Sequence, residues 1–358
     1  MRNNTASRLK RERRRGGVAP VGSVDPQPER ELAEARLPMF EKRMVLITGG
    51  SGLIGTYLIG ELLKRGAKVR AVLHRNPPTV EDNRINFVKG DLTNLEDCAR
   101  VVKGVDYVIH AAAIVLGAEA TANDPMQLIV PNVRMHTQML EASCRENVEG
   151  FLFISSSTVY PPYDHPMKEE EGLLEHPYKS YFGIGWVKRF SELMAKFCHD
   201  DYGLRVAIVR PSNAYGRYDD FNFGTSHVIP ALIRRAVERQ DPYVVWGDGE
   251  EVRDVIHASD LARGLLLALE KYSIGEPINV GTGSEVKVKE MVPMILRLSG
   301  YRNANVQFDR SKPTMIPIRR LDVTKSREKL GFVPRVGLEE GLKDTIDWYS
   351  QTRYLRLR

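Results

Sequence analysis

Three glycines, at positions 49, 52 and 55, form the part of this sequence best suited to holding a phosphate group. They lie in the segment TGGSGLIG at 48–55, directly after the apolar run 44–47. The first glycine permits a tight turn, the second lets the backbone approach a pyrophosphate, and the third permits close packing of a helix on a strand. A pyrophosphate would then lie at the N-terminus of the helix, where free N–H groups and the helix dipole attract anions. The spacing predicts a dinucleotide-binding turn.

Strand and helix patterns alternate along the first 210 residues. Apolar runs predict strands, and amphipathic stretches between them predict helices. The predicted strands are 44–47, 69–73, 85–88, 105–109, 151–154 and 205–209, and the predicted helices include 94–103, 132–147 and 184–202. This alternation predicts an α/β fold, a Rossmann-type doubly wound parallel sheet with helices on both faces. Ligands of such sheets bind outside the carboxyl ends of the strands.

The pattern changes near residue 221 to short elements joined by many loops. We therefore expect a dinucleotide-binding domain over 43–220, with return segments near 254–282. A smaller C-terminal lobe that binds the substrate would comprise 221–253 and 283–350.

Positive charge is concentrated at the N-terminus of the chain. The formal net charge is +6, and residues 1–20 contain seven Lys or Arg side chains against one acidic residue, Glu12. The rest of the chain carries 45 basic and 45 acidic side chains. We expect residues 1–42 to be a disordered basic tail and the folded body not to bind nucleic acid.

Several other classes of protein are not expected from the composition. The sequence contains no run of 18 apolar residues and no apolar core of a secretory signal, so we expect no membrane span and a cytoplasmic location. The three cysteines, Cys98, Cys144 and Cys198, are far apart and lack the spacing of metal ligands. We expect no metal site.

A serine-rich segment and a lysine complete the set of residues with possible chemistry. The segment SSSTVY at 155–160 follows the predicted strand at 151–154, and Lys188 lies in GWVKRFSE at 185–192. With the glycine turn, they resemble the extended short-chain dehydrogenase/reductase family of NAD-dependent epimerases and dehydratases. The second half is most similar to the GDP-L-fucose synthases of that family. The segments that carry this similarity are RPSNAYGRYDDF at 210–221, SHVIPAL at 226–232, WGDG at 246–249 and INVGTG at 278–283.

The resemblance implies a catalytic group made of Ser156, a tyrosine and Lys188. Ser156 would hydrogen-bond the C4 oxygen of a sugar. Lys188 would hold the nicotinamide ribose and lower the pKa of the tyrosine by its charge. The tyrosine would exchange a proton while a hydride moves to or from the nicotinamide. The position for that tyrosine is Ile184, which cannot transfer a proton, and we expect Tyr181 to supply the phenol from a displaced position.

The resemblance also implies a Cys and a His that exchange protons at carbons beside a 4-keto group. His227 matches the histidine, whereas Thr158 takes the place of the cysteine. Because a hydroxyl is a poor base, epimerisation at two centres is in doubt, and epimerisation at one centre or a different substrate stays open. The acidic pair of the dehydratases is absent from 157–159, so we do not expect dehydration.

Cofactor choice depends on the end of the second strand. Family members that bind NAD place an acidic residue there, whereas this chain has His74 and Arg75. Arg75 could pair with a 2′-phosphate, so NADP(H) is favoured and NAD(H) stays possible. The full set of implied cofactor residues is Gly49, Gly52, Leu53, Ile54, Gly55, His74, Arg75, Asp91, Leu92, Ala111, Ala112, Ala113, Lys188, Pro211 and Asn213. The implied substrate residues are Ser156, Thr158, Asn213, His227, Trp246 and Arg253.

The function expected from these residues is that of a nucleotide-sugar epimerase or reductase. It would act at or next to C4 of a nucleoside-diphosphate hexose, with a GDP-4-keto-6-deoxyhexose favoured. One alternative is a UDP-sugar 4-epimerase that retains NAD. Another is a family member that binds the cofactor without turnover, because of Ile184. By resemblance, segments 132–147 and 184–202 would form a helix bundle between two copies in a homodimer.

Overall fold

A central parallel sheet of seven strands organises the chain in a computed structural model that describes residues 39–115, 124–312 and 315–356. Its strands are β1 (Met44–Thr48), β2 (Lys68–Leu73), β3 (Ile85–Lys89), β4 (Tyr107–His110), β5 (Gly150–Ile154), β6 (Arg205–Pro211) and β11 (Pro277–Val280). They are arranged in the order β11-β6-β5-β4-β1-β2-β3. The chain leaves β1 towards β2 on one side and later returns to β4 on the other. A doubly wound sheet binds its ligands at such a switch point.

Helices cover both faces of this sheet. They are α1 (Leu53–Lys64), α2 (Leu95–Val102), α3 (Met126–Arg145), α4 (Phe182–Tyr202) and α6 (Ala258–Lys271). One apolar cluster packs α1 and α6 on one face, and a second packs α2, α3 and α4 on the other. The expected Rossmann-type doubly wound sheet is confirmed.

A third apolar cluster lies outside the sheet. It packs residues of α5 (Val228–Val237), β8 (Tyr243–Trp246), α7 (Val288–Leu298), β13 (Val306–Asp309) and α9 (Leu338–Arg356). The other short elements are the strands β7 (Asn213–Tyr215), β9 (Val252–Arg253), β10 (Val255–His257), β12 (Val286–Lys287) and β14 (Ile318–Arg319), and the helix α8 (Thr324–Leu330). The use of this region as a substrate-binding lobe stays a prediction.

Two boundaries of the expected domains need adjustment. Residues 1–38 of the expected tail lie outside the described residues. Phe40 is fully buried against Tyr107, with ring centroids 5.7 Å apart, so the folded body begins before residue 43. Leu330 and Phe332, assigned to the smaller lobe by the sequence, pack in the core of the sheet.

No helix within the described ranges is long and apolar enough to cross a membrane. The same part of the chain contains no group of three or more His, Cys, Asp or Glu side chains arranged to hold a metal ion.

Candidate active site

The glycine turn has the tight geometry that its sequence predicts. Gly49 has a φ of +68°, and a Cβ on it would lie 2.9 Å from the backbone nitrogen of Ala112 at the end of β4. A Cβ on Gly55 would lie 2.1 Å from the carbonyl oxygen of Gly49. Only glycine fits these two positions without moving the backbone. The turn therefore holds the start of α1 close to the carboxyl ends of β1 and β4.

The N-terminus of α1 is suited to an anion. Gly52 is its N-cap residue, and no side chain caps the helix or adds a negative charge in its first turn. A Cβ on Gly52 would meet only the Gly49 carbonyl, at 3.4 Å, so the approach to the turn is open. Free N–H groups at an uncapped helix end bind phosphate well. The residues present therefore fit a dinucleotide pyrophosphate, flanked by Leu53 and Ile54.

The residues expected near the adenosine end lie at the ends of β2 and β3. His74 Nε2 is 3.8 Å from a carboxylate oxygen of Asp91, and both side chains are about half exposed. Hydrogen bonds from Thr93 hold the pKa of Asp91 below its usual range. Arg75 is exposed next to this pair, and Leu92 is buried. An exposed guanidinium at this point can reach a 2′-phosphate, which suits the expected preference for NADP(H).

Ser156 and Thr158 follow β5 in a short 3-10 turn. The Ser156 hydroxyl accepts a hydrogen bond from the Thr158 backbone nitrogen at 3.1 Å, and the Ser156 side chain stays half exposed. Thr158 Oγ1 is buried and has no hydrogen-bond partner among the described residues. A buried hydroxyl without a partner is costly unless a ligand satisfies it. This geometry suits the expected role of both residues in substrate binding.

Lys188 is buried at the carboxyl end of β5. Its Nζ donates to the Ile154 carbonyl oxygen at 2.9 Å and lies 3.4 Å from His136 Nε2. The Phe153 ring centroid is 4.9 Å from the same nitrogen. Burial lowers the pKa of Lys188 from 10.5 to about 8, against a smaller opposing effect of Glu192. An amine with this pKa can change charge near neutral pH.

Tyr181 lies outside the helix that carries Lys188. It is the N-cap residue of α4, which begins at Phe182, so Tyr181 itself is not part of that helix. The Tyr181 hydroxyl accepts a hydrogen bond from Arg319 Nη1 at 3.4 Å, and the Arg319 guanidinium lies 4.7 Å from the centre of the Tyr181 ring. The hydrogen bonds of Lys188 go instead to Ile154 and His136. Ile184, half-buried in the first turn of α4, presents no polar group.

Arg319 lies next to two of the expected substrate residues, Asn213 and Arg253. Its Nη1 also lies 3.4 Å from the Asn213 Oδ1, and Asn213 Nδ2 donates to the Asp254 carbonyl at 2.9 Å. Burial lowers the pKa of Arg253, which lies beside Arg319 on the neighbouring strand, and the Arg319 charge lowers it further. Two guanidinium groups in one place form a site that suits a diphosphate.

His227 and Trp246 lie at the ends of two elements of the C-terminal region, α5 and β8. His227 is the N-cap residue of α5. Desolvation by the surrounding protein lowers the pKa of His227, and the charge of Arg319 lowers it further. Trp246 ends β8 below the Lys312 ammonium, which is 5.7 Å from the ring centroid.

Pro211 ends β6 next to β11. The alanines at 111–113 follow β4, and Ala112 N donates to Thr48 Oγ1 at 3.0 Å.

Three residues with clear contacts in this site were not singled out from the sequence. Arg319 comes from a two-residue strand and lies 106 residues from Asn213 in the chain. His110 and His136 are buried side by side between the sheet and α3, with Nε2 of the first 2.8 Å from Nδ1 of the second. The sequence signal for the histidines was their apolar context, in which a titratable side chain needs a partner.

A family model, the NAD dependent epimerase/dehydratase family, matches residues 45–281, from the first strand to the end of β11. The chain belongs to this family. The match covers the glycine turn, the serine segment and Lys188.

Curated relatives extend the similarity over most of the chain. Probable GDP-L-fucose synthase 1 of Oryza sativa subsp. japonica is 30% identical over 317 residues, which are 86% of this chain and 92% of the relative. The dTDP-4-dehydro-6-deoxy-D-allose reductase of a Streptomyces species is 29% identical over 318 residues, 86% of this chain and 96% of the relative. Relatives of about the same similarity therefore differ in base and in sugar.

Solved structures agree with this assignment. UDP-glucose 4-epimerase from Thermotoga maritima, solved with UDP-glucose, has a TM-score of 0.77 and 29% identity, covering 87% of this chain and 99% of that one. UDP-glucuronic acid 4-epimerase from Bacillus cereus, solved with UDP-glucuronic acid and NAD, has a TM-score of 0.76 and 27% identity, covering 86% and 99%. The chain is thus a member of a family of nucleotide-sugar epimerases, reductases and dehydratases.

Proposed function

We propose that this chain is a nucleotide-sugar reductase or epimerase that acts at or next to C4 of a nucleoside-diphosphate hexose. A GDP-4-keto-6-deoxyhexose is the favoured substrate, and NADP(H) is the favoured cofactor. The observation that carries the proposal is the position of Arg319, which joins Asn213 to Tyr181, the residue immediately before the helix of Lys188. A diphosphate held by Arg253 and Arg319 would leave its sugar beside these groups.

Each residue then has a defined task. The Ser156 hydroxyl and the unpartnered Thr158 hydroxyl would hydrogen-bond the sugar, and the two arginines would hold the diphosphate. Lys188 would hold the ribose of the cofactor, and Tyr181 would exchange the proton at the C4 oxygen. When bound, the nicotinamide supplies or removes the hydride at C4. His227, on which the charge of Arg319 acts, would exchange a proton at one carbon beside the keto group.

The preference for NADP(H) rests on Arg75. This exposed cation and His74 follow the end of β2, and Asp91, the carboxylate beside His74, is already engaged by Thr93. A 2′-phosphate would therefore meet positive charge at this point. Among the structural neighbours, the epimerase from Bacillus cereus was solved with NAD, so use of NAD(H) is the direct alternative.

Two other functions have an observation in their favour. A UDP-sugar 4-epimerase that retains NAD fits Thr158, because reversal at C4 itself needs no thiol. A binding or regulatory protein that holds the cofactor without turnover fits Ile184. This residue lies one turn from Lys188, and its side chain has no proton that it could transfer. The first predicts interconversion without net use of cofactor, and the second predicts cofactor binding alone.

A substrate panel tests the proposal. Purified full-length protein is mixed with NADPH or NAD and with GDP-4-keto-6-deoxy, dTDP-4-keto-6-deoxy or UDP-hexoses, and products and reduced nicotinamide are measured. We expect oxidation of NADPH with a GDP-4-keto-6-deoxyhexose. Ser156→Ala should lower kcat at least tenfold, whereas Ser350→Ala, a remote serine on α9, should not change it. Cofactor binding without turnover of any sugar would favour the regulatory alternative.

The outer face of α4 suits the expected homodimer. Phe182, Trp186, Phe190, Leu193 and Phe197 recur every three or four residues along it, and all are exposed. This spacing puts them on one side of the helix, the pattern of a helix that packs against another surface. We propose that α3 and α4 form a four-helix bundle with a second copy. Sedimentation should show a dimer that Phe190→Glu dissociates and that the control Val333→Glu, at another exposed apolar position, leaves intact.

A further inference from the structure

A chain of hydrogen-bonded side chains runs through the core from Lys188 to the glycine turn. Lys188 Nζ lies 3.4 Å from His136 Nε2, and His136 Nδ1 lies 2.8 Å from His110 Nε2. His110 Nδ1 lies 2.8 Å from Thr48 Oγ1, which accepts a hydrogen bond from Ala112 N at 3.0 Å. Thr48, His110, His136 and Lys188 are all buried. This series of hydrogen bonds therefore connects Lys188, at the end of the site assigned to the nicotinamide, with Thr48, the residue before Gly49.

The charge of Lys188 sets the direction of these hydrogen bonds. As an ammonium, Lys188 has three N–H donors, of which one is bonded to the Ile154 carbonyl and one faces His136 Nε2. His136 must then carry its proton on Nδ1 and donate to His110 Nε2, and His110 must carry its proton on Nδ1 and donate to Thr48. In this arrangement each imidazole nitrogen has a hydrogen-bond partner, and the third N–H of Lys188 is left for a ligand.

The two histidines are suited to staying neutral while Lys188 titrates. Burial lowers the pKa of His110 to about 3 and that of His136 well below its usual value, and the charge of Lys188 adds to both effects. The titratable groups that act on Lys188 are Glu192 on its own helix, His136 on α3 and His110 on β4. With both imidazoles neutral, only Lys188 changes charge between about pH 7 and pH 9.

We propose that His136, His110 and Thr48 are positioning residues that couple protonation of Lys188 to binding of the dinucleotide cofactor. The inference rests on the proposed function, in which Lys188 holds the cofactor ribose. The ammonium offers its third N–H to the cofactor, whereas the neutral amine does not favour the negatively charged ligand. When Lys188 is neutral, binding therefore takes up one proton from the medium, which forms the third N–H bond on Nζ.

Calorimetry tests this coupling without any sugar substrate. NADP⁺ and NAD⁺ are titrated into the full-length protein at several pH values, in buffers with different heats of ionisation, which gives the number of protons taken up. We expect uptake near zero at about pH 6.5 and approaching one proton at about pH 9. The affinity should fall about tenfold between about pH 7 and pH 9. Binding without proton uptake at any pH would overturn the inference but leave the proposed function intact. No binding of either nucleotide would refute the proposed function itself.

Variants test the part played by the histidine. His136→Phe removes the acceptor that favours the ammonium, so the pH at which affinity falls should drop by about one unit. His136→Gln keeps an acceptor and should restore most of the shift. His199→Gln is the matched control. His199 lies on α4 but is not part of the hydrogen-bonded series from Lys188 to Thr48, and its Nδ1 is hydrogen-bonded to the Leu204 carbonyl. An unchanged pH dependence in His136→Phe would overturn the inference.

Nitrogen NMR of the wild-type protein keeps the inference testable if the variants fail to fold. Below the titration of Lys188, both His110 and His136 should be neutral with the proton on Nδ1. Protonation of either buried ring above about pH 6, or a proton on Nε2 in the Lys188 ammonium form, would contradict the proposed arrangement.

Discussion

Replacement of Lys188 by methionine should stabilise the protein in a pH-dependent way. Burial lowers the pKa of this lysine from 10.5 to about 8. Because one pKa unit corresponds to 1.36 kcal/mol, the buried ammonium costs about 3 kcal/mol of folding free energy below pH 8. Methionine has a similar shape and no charge. It leaves the Ile154 carbonyl and His136 Nε2 without a donor, which offsets the gain by about 1 kcal/mol for each group.

The sign of the pH dependence follows from proton binding. Between about pH 8 and pH 10.5 the unfolded lysine binds more protons than the folded one, so wild-type stability rises with pH in this window. The cost is fully present below the folded pKa and is lost above the unfolded pKa. The advantage of Lys188→Met over the wild type should therefore decrease by about 2 kcal/mol from about pH 7 to pH 9.5.

Urea unfolding of both proteins at a series of pH values measures this difference. Effects of other titrating groups cancel because they are common to both proteins. Lys64→Met is the control, since the Lys64 side chain is 74% exposed and pairs with Glu61 at the surface. Its stability difference should stay near zero throughout. If the Lys188→Met difference were the same at all pH values, Lys188 would not titrate in this range and the reasoning would be wrong.

Three further predictions concern the cofactor, the proton and the core. Arg75→Glu should weaken NADP(H) more than NAD(H) in calorimetry, because it replaces attraction to a 2′-phosphate by repulsion; equal losses would show that Arg75 points elsewhere. Tyr181→Phe should lower turnover by roughly 10²–10⁴-fold, and Ile184→Tyr should create or raise 4-keto reductase activity in the same assay; a fully active Tyr181→Phe would exclude the phenol as the proton donor. Phe40→Ala should lower the unfolding free energy by about 3–5 kcal/mol in urea titrations, and a change below about 1 kcal/mol would contradict its place in the core.

The sheet was predictable because its signals are local. Each strand of the dinucleotide-binding half is a short apolar run next to a helical pattern, and each predicted run coincides with a strand of the structure. The start of α3 was less predictable. It begins at Met126, several residues before the predicted 132, and contains Pro131. Proline removes one helical hydrogen bond near the N-terminus, and the surrounding packing offsets this loss. Pro131 therefore indicated a helix boundary that the structure does not have.

The site was only partly predictable because some of its partners are distant in sequence. The glycine turn and the 3-10 turn at Ser156 are each formed by consecutive residues. Arg319, in contrast, reaches Tyr181 and Asn213 from a two-residue strand whose position depends on the packing of the whole C-terminal region. Periodicity does not reveal such a contact. Likewise, nothing in the spacing of His110 and His136 shows that their rings meet between a strand and a helix.

The cost of Lys188 bears on whether this chain has kept a function that uses the cofactor. A buried ammonium that destabilises the fold by about 3 kcal/mol is a poor choice for packing, since methionine would fill the same space. Destabilising groups of this kind are typical of functional sites. Lys188 also contacts the buried His136, which is hydrogen-bonded to the buried His110, and polar side chains of this kind are themselves costly to bury. A protein that had lost its cofactor would gain stability by losing this ammonium. The presence of Lys188 therefore argues that this side chain still meets a ligand, and the isoleucine at position 184 affects only the proton-transfer step.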